Sequence, residues 1–107
     1  MDAKDFVHQT VTDNPVVLVM KGTAQSPQCG FSGRAIQLLK SCGVTQVATV
    51  NVLEDESVRQ AVKDYASWPT IPQLYVKGDF IGGADIMGEM HDSGELAKLF
   101  KEAGIVS

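Results

Sequence analysis

Residues 16 to 20 read VVLVM, an unbroken apolar run rich in β-branched residues and bounded by Asn14-Pro15 before it and Lys21-Gly22 after it. A strand with one face in water alternates apolar and polar positions, and this stretch has no polar position to turn outward. The run therefore predicts a strand buried on both faces, a demand met only by covering both sides of a sheet. With 107 residues and 44% hydrophobic content, the chain is the size of one ordinary domain, expected over residues 1–107.

The flanking segments supply the cover. Residues 2–13 carry a weak helical pattern through Phe6, Val7 and Val11 that stops at Asn14-Pro15, because the residue before a proline is pushed out of the α region. From Phe31 to Cys42, the positions Ala35, Ile36, Leu39 and Cys42 follow helical spacing, and Gly43 is suited to end the helix. Val47 to Val52 reads as a second strand. Residues 54–66 (EDESVRQAVKDYA) read as a helix with acids in its first turn and Val58, Val62 and Tyr65 on one face. Pro72 to Val76 and Phe80-Ile81, joined at Lys77-Gly78-Asp79, read as a hairpin that Gly82-Gly83 ends. Residues 84–104 give two helical segments divided near Ser93-Gly94, apolar at Ile86, Met87 and Met90 and then at Leu96, Leu99 and Phe100. The four methionines read as core packing. A strand–helix–strand unit requires a parallel pair, and the short turn near Gly78 an antiparallel one. The expected fold is α/β with a thioredoxin-like layout: a central mixed four-stranded sheet flanked by helices on both faces.

The net charge of −4, the pI near 4.9 and the lack of a basic run argue against nucleic acid or a membrane surface as partner, since both need clustered positive charge. No stretch approaches the roughly 18 to 20 apolar residues that cross a bilayer. The opening MDAKDFVHQT has an acid at position 2 and no apolar run, so no secretory leader is expected. Two cysteines do not make a disulfide framework, which points to an intracellular reducing compartment.

Those two cysteines occupy different settings. Cys29 lies in PQCGFSGR (27–34), where the loop after the buried strand meets the start of a helix. Unsatisfied backbone N–H groups at such a place favour an anion, and a thiolate is one. Lys21, at the end of the strand, adds positive charge nearby. The polar setting of Gln28 and Gly30 separates Cys29 from an inert core cysteine, so a reactive or metal-ligating thiol is expected there. Ser32 stands where a second cysteine would complete a C-x-x-C pair. Cys42 is thirteen residues further on, roughly 20 Å away along a helix rising about 1.5 Å per residue. A disulfide needs Cα atoms within about 7 Å, so Cys42 reads as core filler near a helix end.

Three further features bear on a ligand site. Ile71-Pro72 opens a strand at a position where proline cannot donate to the ladder, and a cis bond is one reading of it. Gly82-Gly83 before Ala84-Asp85 offers bare backbone N–H groups to an anion. Arg59 and Lys63, one helical turn apart, are either a cationic pair turned to a ligand or an ordinary solvated face.

Taken together, KGTAQSPQCGFS (21–32), WPTIPQLYVKGDFIGG (68–83) and the following Asp85 closely resemble the monothiol glutaredoxins of the CGFS class, over about Asn14 to Phe100. The resemblance includes the long loop between the strand lysine and the cysteine that separates this class from dithiol glutaredoxins. It implies that Cys29 is the active cysteine and cluster ligand, that Pro72 is a cis proline, and that the Ile71 backbone pairs with the cysteinyl part of glutathione. It further implies that Lys21 and Arg59, assisted by Lys63, hold the glycine carboxylate of glutathione. The backbone N–H groups of Ala84 and Asp85 would take the γ-glutamyl carboxylate, and the Asp85 side chain its ammonium. The family commonly has cysteine where this chain has Ala84, so no internal disulfide from Cys29 to that position is expected; a backbone contact there needs no side chain.

A [2Fe–2S] cluster usually takes four thiolate ligands, and Cys29 offers one. The resemblance implies a cluster shared by two protomers, each giving Cys29 and one bound glutathione, hence a homodimer in the cluster-bound state. Ser32 then removes a local disulfide that would compete for the ligand. The leading function implied is carriage of the cluster to acceptor apoproteins, in the bacterial cytoplasm or the mitochondrial matrix. A second reading is a glutathione-dependent oxidoreductase, at most a weak one, that reduces mixed disulfides with a single thiol. A third is an adaptor that docks BolA-like proteins.

Overall fold

The computed structural model describes residues 2–106. Five helices and four strands run in the order α1 (Ala3–Asp13), β1 (Val16–Met20), α2 (Gly30–Ser41), β2 (Ala48–Asn51), α3 (Glu56–Ala66), β3 (Gln73–Val76), β4 (Asp79–Gly82), α4 (Ala84–Ser93) and α5 (Glu95–Glu102) among the described residues. The sheet order is β2-β1-β3-β4. β1 pairs parallel with β2, from Val17 opposite Ala48 to Met20 opposite Asn51. It pairs antiparallel with β3, from Val16 opposite Val76 to Val19 opposite Gln73. The mixed sheet expected from the sequence is the one observed.

All five residues of β1 are buried, and they divide between two cores. Val16, Leu18 and Met20 pack with Ala35, Ile36 and Leu39 of α2, Leu74 and Val76 of β3, Met87 of α4, and Leu96 and Phe100 of α5. Val17 and Val19 face the opposite way, toward Val7 and Val11 of α1, Val58, Ala61 and Val62 of α3, and Tyr75 of β3. Burying such a side chain contributes roughly 1.5 to 3 kcal/mol, so a polar substitution anywhere in β1 damages one core or the other.

The helix starts follow local chemistry. The Asp2 carboxylate accepts the Asp5 N–H at 2.8 Å, and that of Asp55 accepts the Ser57 N–H at 2.8 Å. Because Asp55 serves as the cap, α3 begins at Glu56 rather than at Glu54. The hairpin turn is shorter than expected: Lys77 and Gly78 form it alone, with φ of 54° and 86°, and Asp79 already belongs to β4. Two successive positive φ values suit the twist of a two-residue hairpin. Of the methionines, Met20 and Met87 are buried and Met90 packs against the same core, while Met1 lies outside the described residues. Ile86 departs from the expected pattern. It sits in the first turn of α4, exposed, on a different side of the helix from Met87. No helix is long and apolar enough to cross a membrane among the described residues.

Candidate functional site

Cys29 is the residue that opens α2, in extended backbone with φ −149° and ψ 137°. Its carbonyl accepts the Gly33 N–H at 2.9 Å, which starts the helix directly behind the thiol. The thiol is free and partly buried. The N–H of Ser32 favours its thiolate most, partial burial opposes it, and the Phe31 N–H, the Lys21 charge and the Ser32 hydroxyl add to the first effect; the net result is a lowered pKa. Ser32 is completely buried, and its hydroxyl accepts the Lys21 N–H at 3.1 Å. The serine therefore ties the end of β1 to the first turn of α2 beside the thiol, a role beyond merely not being a cysteine.

The loop between Lys21 and Cys29 is closed on itself. Gly22 and Pro27 form an antiparallel bridge, Thr23 and Ser26 exchange backbone hydrogen bonds at 3.2 Å, and the Gln28 N–H reaches the Lys21 carbonyl at 2.9 Å. Asn51, at the end of β2, pins the loop by accepting the Gly22 N–H at 2.9 Å. Gly22 has φ 95°, and a Cβ there would stand 2.6 Å from both the Gln28 nitrogen and the Ser26 carbonyl oxygen. Only glycine fits that position.

A groove of about 260 Å³ is walled by Phe31 of α2, by Trp68 with Thr70, Ile71 and Pro72, and by Gly83 to Ile86 at the start of α4. The Ile71–Pro72 bond is cis. Gly83 opens α4 without a capping side chain, and a Cβ there would lie 3.2 Å from the Pro72 carbonyl oxygen, so its smallness lets the two walls approach. Phe31, Trp68 and Ile86 stand 62%, 37% and 36% exposed around this groove, forming an apolar rim.

The residues singled out from the sequence are thus only partly gathered. Ile71, Pro72, Ala84 and Asp85 share the groove with Phe31 of the cysteine's own helix. Lys21 is partly buried and acts on the Cys29 thiol. Arg59 and Lys63, partly buried on α3, do not line the groove. No ion pair engages Lys21, Arg59 or Lys63 among the described residues. Cys42, at the far end of α2, has its pKa raised because burial opposes ionisation, with the Ser41 side chain acting the other way. No three His, Cys, Asp or Glu side chains converge to hold a metal among the described residues.

Gln73, the first residue of β3, is completely buried, and no pattern in the sequence marks it for the site. Its amide nitrogen donates to the carbonyls of Trp68 and Thr70 at 3.2 and 3.3 Å, and its oxygen accepts the Tyr75 hydroxyl at 2.8 Å. Its only trace there is a polar residue leading an otherwise apolar strand.

A lone activated thiol at a helix start, in a β2-β1-β3-β4 sheet with a cis proline just before an antiparallel strand, defines the thioredoxin-like class. The family model described as Glutaredoxin matches residues 16–81. The chain belongs to the glutaredoxin family, and its relatives are of the monothiol class. It is 49% identical over 101 residues to the mitochondrial monothiol glutaredoxin-5 of Schizosaccharomyces pombe, covering 92% of this chain and 69% of that protein. It is 48% identical over 99 residues to the mitochondrial monothiol glutaredoxin-S15 of Arabidopsis thaliana, covering 92% of this chain and 58% of that one. An uncharacterized monothiol glutaredoxin, ycf64-like, of Synechocystis is 46% identical over 95% of this chain and 94% of its own length. Among solved structures, a monomeric truncated mutant of Trypanosoma brucei 1-C-Grx1 superposes with a TM-score of 0.87 at 39% identity, covering 99% and 94% of the two chains. A buckwheat glutaredoxin solved as its glutathione complex superposes with a TM-score of 0.84 at 25% identity, covering 98% and 93%.

Proposed function

We propose that residues 1–107 act as one glutaredoxin domain that binds glutathione in the groove beside Cys29 and carries a [2Fe–2S] cluster shared between two protomers. Acceptor apoproteins then receive the cluster, in the mitochondrial matrix or the bacterial cytoplasm, the settings that the relatives from mitochondria and a cyanobacterium support. The observation that carries this reading is the donor set. Each chain presents one thiol with a lowered pKa two residues before Phe31 of the apolar rim, and its other cysteine stands at the opposite end of α2. A soft thiolate suits an iron–sulfur cargo, and a four-thiolate shell must then draw on a second chain and on a small thiol. The glutathione complex of the buckwheat protein supports glutathione as that thiol.

Within the groove, the Ile71 backbone would pair with the cysteinyl part of glutathione, and the N–H groups of Ala84 and Asp85 would take its γ-glutamyl carboxylate. The Asp85 side chain would hold the ammonium. Lys21 and Arg59, with Lys63, would meet the glycine carboxylate by charge-assisted hydrogen bonds. Cluster-bound protein would dock acceptors, or BolA-like proteins, across the apolar rim of Phe31, Trp68 and Ile86. The test is anaerobic reconstitution with iron and sulfide, with and without glutathione, read by visible absorption and gel filtration. Cluster and dimer are expected only when glutathione is present. A cluster that assembles equally well in thiol-free buffer overturns the shared-ligand reading.

The lowered pKa and partial exposure of Cys29 also favour a second activity. Its thiolate would attack the glutathionyl sulfur of a mixed disulfide, releasing the substrate thiolate, which takes up a proton. A second glutathione thiolate would then attack the adduct, freeing Cys29 and giving glutathione disulfide. Turnover of a small glutathionylated disulfide, measured with excess glutathione, tests it; no turnover above the uncatalysed rate rejects it.

A further inference from the structure

Between α3 and β3 the chain runs through residues 67–72 without regular structure, and this segment makes one whole wall of the groove. Such a segment needs something to hold its backbone in place. On its outer side it meets open groove. On its inner side it meets Gln73, whose amide nitrogen bridges the Trp68 and Thr70 carbonyls. Those two bonds run from the sheet to both sides of Pro69. The amide is itself held, since its oxygen takes the Tyr75 hydroxyl at 2.8 Å. Tyr75 in turn packs against Tyr65 and Phe80, with ring centroids 5.9 and 5.5 Å away, and Phe80 packs against Trp68 at 5.7 Å. The aromatic contacts thus return to the residue whose carbonyl Gln73 holds and whose N–H donates to the Lys63 carbonyl of α3 at 3.0 Å; Gln73 adds the hold from the sheet.

Burying a primary amide is costly unless its donors and acceptor are satisfied. A strand interior gains nothing from an amide that a methionine of similar size would not also give. Here every polar atom of the buried side chain is matched, and both donors go to the wall of the groove.

We propose that Gln73 is a positioning residue for the groove, and that its amide sets the backbone of residues 68–70, and through it the following Ile71, in the wall that a bound glutathione would meet. The assignment rests on the glutathione reading above, and the test separates the two. Gln73→Met keeps the size and loses both donors; Tyr75→Phe leaves the donors but frees the amide to turn. Trp68 is the chain's single tryptophan, so its emission reports on the wall directly, with no ligand present.

In ligand-free protein, Gln73→Met should red-shift Trp68 emission and speed exchange of the Trp68 amide, which donates to the Lys63 carbonyl at 3.0 Å, while the helices keep wild-type protection. Calorimetric titration with glutathione should then show affinity weakened roughly five- to tenfold in Gln73→Met and about two- to threefold in Tyr75→Phe. Val44→Ala, buried in the core on the other face of the sheet from Tyr75, lowers stability without touching the amide and should bind like wild type. Wild-type emission and exchange in Gln73→Met, or an affinity within twofold of wild type, overturns the positioning role. Should Gln73→Met fail to fold, Tyr75→Phe decides, and unchanged emission and affinity there overturn it equally. Absence of glutathione binding to wild type would instead sink the glutathione reading, and the emission and exchange data would still judge the role of Gln73.

Discussion

Helix α2 carries a cysteine at each end, and the two ends treat a thiol in opposite ways. At the start, Cys29 meets the N–H groups of Ser32 and Phe31 and the Lys21 charge, and its pKa falls. At the finish, Cys42 packs against the core, and burial raises its pKa. The carbonyl end of a helix gives an anion no help. Identical side chains twelve residues of helix apart are thus divided into an activated thiol and a filler by position alone.

The largest effect should come from removing each thiol in turn. Cys29→Ser should abolish cluster absorbance after reconstitution, whereas Cys42→Ser should retain it in full; visible spectra of the two variants decide the matter. Full occupancy in Cys29→Ser would end the cluster reading. The next effect belongs to the proposed ligand rather than to the thiol. Arg59→Glu sets a like charge against the glycine carboxylate, and the loss of a charge-assisted hydrogen bond is worth about 1.5 to 3 kcal/mol. Glutathione affinity by calorimetry should fall accordingly without unfolding, and an unchanged value returns Arg59 to the solvated surface.

A pH profile sharpens the contrast further. In Cys42→Ser, alkylation of Cys29 by iodoacetamide should level off at a lower pH than for an ordinary thiol, and in Cys29→Ser the Cys42 profile should lie above it. The linked stabilities have opposite signs. A thiol with a lowered folded pKa contributes stability above its unfolded pKa, and that contribution fades as pH falls through the folded value. For Cys42, raised in the folded state, stability is lost instead as pH climbs through the folded value. Alkaline unfolding of the two single-cysteine variants, compared by denaturant midpoint, should reveal these opposing slopes. The smallest expected change in reactivity comes from Ser32→Ala, which removes one minor contributor to the lowered pKa and should shift the Cys29 profile slightly upward. The Lys21 N–H would lose its acceptor, which costs about 1 to 3 kcal/mol of stability.

What could be read in advance followed from patterns that repeat along the chain. VVLVM announced a doubly covered strand because alternation, or its absence, is visible in five consecutive letters. Cys29 was legible because a loop-to-helix junction imposes local polarity on whatever stands there. Gln73, Asn51 and Ser32 were not legible in the same way. Each bonds to backbone groups, and a carbonyl or N–H carries no residue identity that a sequence could display. Ile86 was misjudged because helical spacing alone cannot tell the core side from the groove side in a first turn. Cys42 was legible for the opposite reason to Cys29, since its place on the apolar helical face was enough.

The two-sided strand β1 has a consequence for the order in which the protein is made. It is synthesised well before its antiparallel partner β3 and much of one core, including Met87, Leu96 and Phe100, which follow later in the chain. Long-range strand pairing of this kind forms late. During translation, a chain that has reached only α3 has the residues of the thiol, Lys21 and the start of α2, but of the groove lining only Phe31. The groups that lower the Cys29 pKa are therefore neighbours in sequence, whereas the groove is assembled from segments far apart in the chain. A growing chain carries the thiol before it carries most of the groove.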